Sequence, residues 1–157
     1  MTTEIGNLVI RPAHADEAGS LGALAMRSKA HWGYSQEFLD VVRPMLTFTE
    51  SDLADSPVYV LEAAGKLVGM YRLAGNPPHG ELDHLWLDPR LIGRGAGRRL
   101  FEHALQSAVE LGFDSLLIES DPNACGFYLA MGATHVGERR SLSGRTLPLL
   151  RVNTRSG

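Results

Sequence analysis

The alternation of apolar and polar positions predicts a short strand over residues 7–11 (NLVIR), ended by Pro12. Asp16 is placed to cap a helix running through Leu21, Leu24, Ala25 and Met26. A second helix is predicted from Ser35, carrying Phe38, Leu39, Val42 and Leu46, with Pro44 shortening or kinking it. The stretch 47–56 is polar. Segments 58–63 (VYVLEA) and 67–73 (LVGMYRL) then flank Ala64-Gly65-Lys66 in the pattern of a tight hairpin, and residues 75–80 (GNPPHG) read as a loop. Residues 81–87 (ELDHLWL) read as a strand, followed by Asp88-Pro89 and a glycine-rich stretch over 92–97 (IGRGAG). Leu100, Phe101, Ala104, Leu105, Ala108 and Leu111 recur at helical spacing, and Gly112 sits where such a helix should stop. Residues 115–119 (SLLIE) predict the next strand, 123–131 a short helix, and 135–138 and 146–151 the closing strands. Two helices, an antiparallel hairpin, a strand-helix-strand crossover and a tail hairpin predict a mixed α/β single domain over 1–157.

Composition narrows the partners. With 157 residues, 44% hydrophobic and 21% charged, the chain is sized for one compact core. A net charge of -3 supplies no global positive field, so nucleic acid is not an expected partner. The charge is uneven: residues 1–88 balance to -6 and residues 89–157 to +3, an arrangement suited to a cationic partner on one side and a phosphate-bearing one on the other. No apolar run approaches the roughly 20 residues that span a bilayer, and the first residues lack a basic stretch followed by an apolar one. Neither a membrane nor export is therefore expected, and a cytoplasmic location is. Cys125, the single cysteine, allows no internal disulfide and no cysteine-based zinc cage, and no metal is expected.

The central unit is strand, glycine loop, helix. Gly93, Gly95 and Gly97 leave backbone amides open at a helix N-terminus, where free N–H groups and the helix dipole favour a phosphate, and Arg94, Arg98 and Arg99 add charge. A P-loop would need Gly-Lys-Ser/Thr at its end, and in the dinucleotide fingerprint the third glycine falls one residue later than Gly97. A nucleotide-binding βαβ domain is accordingly disfavoured.

In these residues the chain resembles the GCN5-related N-acetyltransferase (GNAT) family, whose acyl-CoA signature is Arg/Gln-x-x-Gly-x-Gly/Ala after a strand and a short proline turn. Here the register is Ile92-Gly93-Arg94-Gly95-Ala96-Gly97, preceded by Leu85-Trp86-Leu87-Asp88-Pro89. Residues 121–132 (DPNACGFYLAMG) are similar to the family's later Asn-x-x-Ala-x-x-Phe-Tyr-x-x-x-Gly segment. Ile92 stands where the family has Arg or Gln, and Asp121 where it has Asn, with Asn123 two residues on as the substitute. The resemblance implies a central, mostly antiparallel twisted sheet with a splayed parallel strand pair, flanked by about four helices. It also implies acetyl-CoA as co-substrate, held by Leu85, Trp86, Leu87, Ile92, Gly93, Arg94, Gly95, Ala96, Gly97, Arg98, Asn123 and Phe127.

Acetyl transfer to an amine requires the amine to lose a proton, an oxyanion to be held and a thiolate to be protonated. On the strand 81–87, period two puts Glu81, Asp83, Leu85 and Leu87 on one face and Leu82, His84 and Trp86 on the other. The resemblance places a strand-borne base at Glu81 or Asp83; His84 is the rival, and its parity argues for packing with Trp86. Tyr128 matches the family's general acid, a phenol whose pKa near 10 keeps it protonated. The oxyanion donor is implied to be a backbone N–H near Leu87. Cys125, without an assignable His partner, reads as a packing residue. Residues 27–34 (RSKAHWGY) lie where the family covers its acceptor, so His31, Trp32 and Tyr34 could wall a pocket with Tyr71 or Arg72 opposite.

The expected activity is direct acetyl transfer from acetyl-CoA to a primary amine in a ternary complex. The alternative is a non-catalytic CoA-binding or sensor domain of the same fold. A polyamine, an aminoglycoside, an amino acid, a small amine or a protein terminus would all suit the machinery as acceptor. An edge strand of the C-terminal hairpin offers pairing across a homodimer.

Overall fold

This computed structural model describes residues 8–141 and 143–155, and among them forms seven strands and five α-helices. The strands are β1 (Leu8–Pro12), β2 (Val58–Ala63), β3 (Lys66–Asn76), β4 (His79–Leu87), β5 (Ser115–Glu119), β6 (Thr134–Arg140) and β7 (Thr146–Asn153). The helices are α1 (Ala18–Ala30), α2 (Gln36–Val42), α3 (Glu50–Asp55), α4 (Ala96–Glu110) and α5 (Cys125–Ala130). The sheet order is β1-β2-β3-β4-β5-β7-β6. Its one parallel pair is β4 with β5; β1–β2, β2–β3, β5–β7 and β6–β7 are antiparallel. The architecture is the expected mixed α/β one. No helix among the described residues is long and apolar enough to cross a membrane.

The chain divides into two compact units, and β3, β4 and α4 each contribute to both. The first unit takes the chain up to Arg72 together with His84–Phe101. Its core is built by the helical spacing of Leu21, Leu24 and Ala25 on α1, which pack with Val42, Leu46, Phe48, Leu53, Val58, Val60 and Met70. Each such leucine contributes about 1.5–3 kcal/mol by burial. The β2–β3 hairpin closes through Ala64 (φ 51°) and Gly65 (φ 79°), the left-handed pair that a two-residue turn demands. Arg99, in the first turns of α4, donates from Nη2 to the Leu8 carbonyl at 2.9 Å.

The second unit comprises Leu73–Asp83 and the chain from Glu102 onward. Leu116 and Ile118 of β5 and Leu150 and Val152 of β7 are among its buried strand positions, joined by Phe113. Thr154 donates from Oγ1 to the Phe113 carbonyl at 2.7 Å, tying the end of the chain to the turn before β5.

Residue 7, expected in the first strand, lies outside the described residues. Local structure departs from the sequence pattern in three places. Asp16 does not cap α1: a 3-10 turn over Ala15–Glu17 precedes the helix, and the Glu17 carboxylate accepts the His14 backbone N–H at 2.8 Å instead. The polar stretch 47–56 contains α3, because Thr49 and Asp52 exchange side-chain and backbone hydrogen bonds (3.0 and 2.9 Å) around its first turn while Leu53 is buried. The expected loop 75–80 is mostly strand. A Cβ on Gly75 would lie 3.2 Å from the Gly80 Cα, and one on Gly80 would lie 2.6 Å from the Phe113 ring. These glycines serve close packing within strands, and the turn shrinks to Pro77-Pro78.

Candidate active site

The glycine loop follows directly from the end of β4. Asp88 is buried, donates its N–H to the Val68 carbonyl at 2.8 Å, and accepts from Arg90 N and Nε at 3.0 Å each. Its hydrogen bonds with the Arg90 guanidinium hold its carboxyl below the usual range, and Arg27 adds a second cation at 3.7 Å. The turn is thus anchored by a charged, well-partnered carboxylate. Beyond it Gly93 and Gly95 adopt φ values of 82° and 85°, left-handed conformations that favour glycine, and no atom lies within 4 Å of where their Cβ atoms would be. Helix α4 begins at Ala96, with Ala96 and Gly97 buried and Arg94, Arg98 and Arg99 exposed. The first N–H groups of a helix have no intrahelical acceptor, so open backbone, a positive dipole end and three arginines meet here. This combination suits a bound pyrophosphate. Ile92, Leu85, Trp86 and Leu87 are all half-buried around the same strand end and loop.

Along β4 the period-two pattern governs the polar groups. The parallel register with β5 runs from His79↔Ser115 to Glu81↔Leu117, while β5 itself continues to Glu119. Leu82 is buried; Glu81 is half-buried and Asp83 exposed on the opposite side. The Glu81 carboxylate accepts from Arg139 Nη1 at 3.3 and 3.4 Å. His84 packs edge-on against Phe48, ring centres 4.8 Å apart, and its Nδ1 accepts the Trp86 indole N–H at 3.0 Å. An indole nitrogen can only donate, so Nδ1 is the acceptor and the imidazole proton sits on Nε2. Both nitrogens of His84 are thereby assigned, and neither offers a spare lone pair for a substrate proton.

In the second unit Tyr128 is buried on α5, 5.3 Å from the half-buried Phe127 ring. Burial pushes its phenol well above the usual tyrosine range, with the Asp121 carboxylate adding to the effect. It therefore carries its proton at any physiological pH. Asp121 Oδ1 accepts the Asn123 backbone N–H at 2.8 Å and its Nδ2 at 2.9 Å, a local turn that leads into α5. Cys125 is half-buried on the same helix.

The connector between α1 and α2 turns on Gly33 (φ 82°). His31 and Trp32 make an edge-to-face pair at 4.8 Å, and Trp32 remains 39% exposed. Tyr34 lies against Phe38 at 4.6 Å, with the buried Lys29 ammonium 5.0 Å from its ring centre. Tyr71 is fully enclosed and stacked on Tyr59 at 5.3 Å, so its side chain presents no surface; Arg72 beside it donates to Ser56 Oγ at 2.9 Å and approaches Asp52 to 3.8 Å. The segment 27–34 was readable as a whole without Lys29 being singled out in it, and Arg139 was missed because no local signal exists for it.

Comparison with known proteins gives a consistent picture. Residues 24–133 match the model of the acetyltransferase (GNAT) family. The peptidyl-lysine N-acetyltransferase YjaB of Escherichia coli (strain K12) is 33% identical over 121 residues, 76% of this chain and 74% of that protein. Among solved structures, a GCN5-related N-acetyltransferase from Rhodopseudomonas palustris superposes with a TM-score of 0.77 at 19% identity, covering 98% of each chain. The PaiA N-acetyltransferase of Thermoplasma acidophilum, solved with coenzyme A, gives 0.74 at 15% identity, covering 93% of this chain and 98% of that one.

Proposed function

This chain belongs to the acetyltransferase (GNAT) family, and from that premise we propose that it moves the acetyl group of acetyl-CoA directly to a primary amine, a lysine side chain of a peptide or protein. The observation that carries the reading is the pair of open, left-handed glycines at the start of α4, where a pyrophosphate can approach backbone N–H groups without meeting a side chain. Gly93, Gly95 and the first amides of α4 hold the phosphates, with Arg94 and Arg98 supplying positive charge. Leu85, Trp86, Leu87 and Ile92 line the pantetheine side, and the backbone N–H near Leu87 is the oxyanion donor. Asn123, tied to Asp121, and Phe127 contribute from the start of α5.

A lysine ammonium, with a pKa near 10.4, must lose a proton before it can attack. Glu81 and Asp83 share one face of β4 and serve that ammonium, as counter-ion and proton acceptor; His84, committed to Trp86, takes no part in the proton transfer. Tyr128 works from the other end of the reaction. With its phenol held protonated, it donates its O–H to the developing thiolate and delivers the proton once the bond to the acetyl group has broken. Trp32, His31 and Tyr34 cover the acceptor, and the enclosed Tyr71 acts only as support behind Arg72.

The name of the Escherichia coli relative supports a peptidyl-lysine acceptor over the small amines that the same groups could serve. The test is thiol release from acetyl-CoA with a panel of lysine peptides, N-terminal peptides, polyamines and aminoglycosides. Faster turnover with internal lysine peptides is expected; preference for a small amine would replace the acceptor. Ile92, in place of a longer polar side chain, favours a second reading as a CoA-binding sensor. CoA binding with no thiol release from any amine would establish it.

A further inference from the structure

The geometry points to Arg139 as a positioning residue of the acceptor site: its guanidinium, shared between Glu81 of β4 and Glu119 of β5, fixes the Glu81 carboxylate for the incoming ammonium. This inference rests on the role proposed for Glu81 above.

The sheet registers bring the three side chains together. Glu81 pairs with Leu117, so Glu119, two residues on, lies on the same face of the sheet. Glu119 pairs with Leu149 of β7, and Leu147, two residues back, pairs with Arg139 of β6. Directly opposed residues share a face, which places Glu81, Asp83, Glu119 and Arg139 on one side of the second unit's strands. Arg139 Nη1 reaches both oxygens of Glu81 at 3.3 and 3.4 Å and lies 3.7 Å from Glu119 Oε2.

Charge and exposure assign the contact a task other than stability. One guanidinium is divided between two carboxylates, Glu81 and Glu119. The trio's side chains are 30–38% exposed, a setting in which an ion pair adds little to folding. A free glutamate at a strand surface would sample several rotamers. Nη1 of the guanidinium, lying between both carboxylate oxygens, selects one, leaving the outer lone pairs toward solvent and an arriving cation. Lysine keeps the charge of Arg139 but carries it on a flexible stem without the orientation of the planar guanidinium.

Steady-state thiol release with a lysine peptide tests this. Arg139→Gln is expected to lower kcat/KM for the peptide about tenfold while leaving KM for acetyl-CoA and the melting temperature unchanged, and Arg139→Lys to recover part of the loss. Because Arg139 acts through Glu81, adding Arg139→Gln to Glu81→Gln should slow the enzyme no further. Parent-like kinetics in Arg139→Gln, with Glu81→Gln slowed, would overturn the inference alone, as would a double variant slowed by the product of the single effects. Parent-like kinetics in Glu81→Gln, or no peptide acetylation by the parent, overturns the reading of the site and the inference with it.

Discussion

At the scale of single residues, the side chains divide by what their hydrogen bonds leave over. Tyr128 keeps its proton because burial and the Asp121 carboxylate both disfavour the phenolate. Tyr128→Phe should cost about 1 kcal/mol of stability as a lost hydrogen bond, yet lower kcat by on the order of 100-fold with CoA affinity retained, since the lost interaction belongs to the transition state. A thermal melt beside a chromogenic thiol assay checks both, and turnover at the parent rate would remove Tyr128 from the mechanism. His84 gives the opposite expectation. With Trp86 on Nδ1 and the proton on Nε2, His84→Ala should leave the pH–rate profile in shape, whereas Asp83→Asn and Glu81→Gln should depress activity most at low pH. That His84 packs on Trp86 was readable from strand parity alone. The Arg139–Glu81 contact was not, because 58 residues separate the partners and only the order of the strands brings them together.

At the scale of elements, hydrophobic spacing located nearly every helix and strand; the failures share a cause. Where polar or glycine-rich stretches are structured by contacts rather than by periodicity, the pattern is silent. Helix α3 is one case: a six-residue helix with one buried leucine leaves little periodic signal, and only the Thr49 and Asp52 exchange betrays it. The turn between β3 and β4 is the other. Gly80 reads as loop but is buried against Phe113, and Gly80→Ala should cost about 1–3 kcal/mol through overpacking, read as a fall in the urea midpoint. An unchanged midpoint would mean that the ring moves aside. The glycines of the α4 loop are different, since nothing would meet a side chain there. Aspartate tolerates a left-handed backbone better than most residues, so Gly95→Asp should fold, while its carboxylate beside a phosphate weakens CoA binding about tenfold or more. Calorimetry with CoA decides it, and unchanged affinity would relocate the phosphates.

At the scale of the whole molecule, stability should fall in acid for an identifiable reason. Arg11 is held by Glu17 at 2.8 Å and Glu62 at 2.7 Å, and the hydrogen bonds from Arg11 lower the Glu17 carboxyl to about 2, against 4.5 when unpaired. A depressed carboxyl favours the folded state above the unfolded value and loses that contribution as pH falls from about 4.5 toward 2. The urea midpoint should therefore drop between pH 7 and pH 3, and the drop should be smaller in Arg11→Gln. An equal drop in both proteins would assign the acid sensitivity elsewhere. The placement of the aromatic residues has a further consequence for how such unfolding is watched. The chain has two tryptophans, Trp32 and Trp86, and both belong to the unit that carries the glycine loop. Their intrinsic fluorescence is a spectroscopic signal from that unit alone, whereas circular dichroism averages over every helix and strand. If the two transitions coincide, the protein unfolds as one cooperative body; if emission and ellipticity part company, the unit bearing Tyr128 melts at its own midpoint.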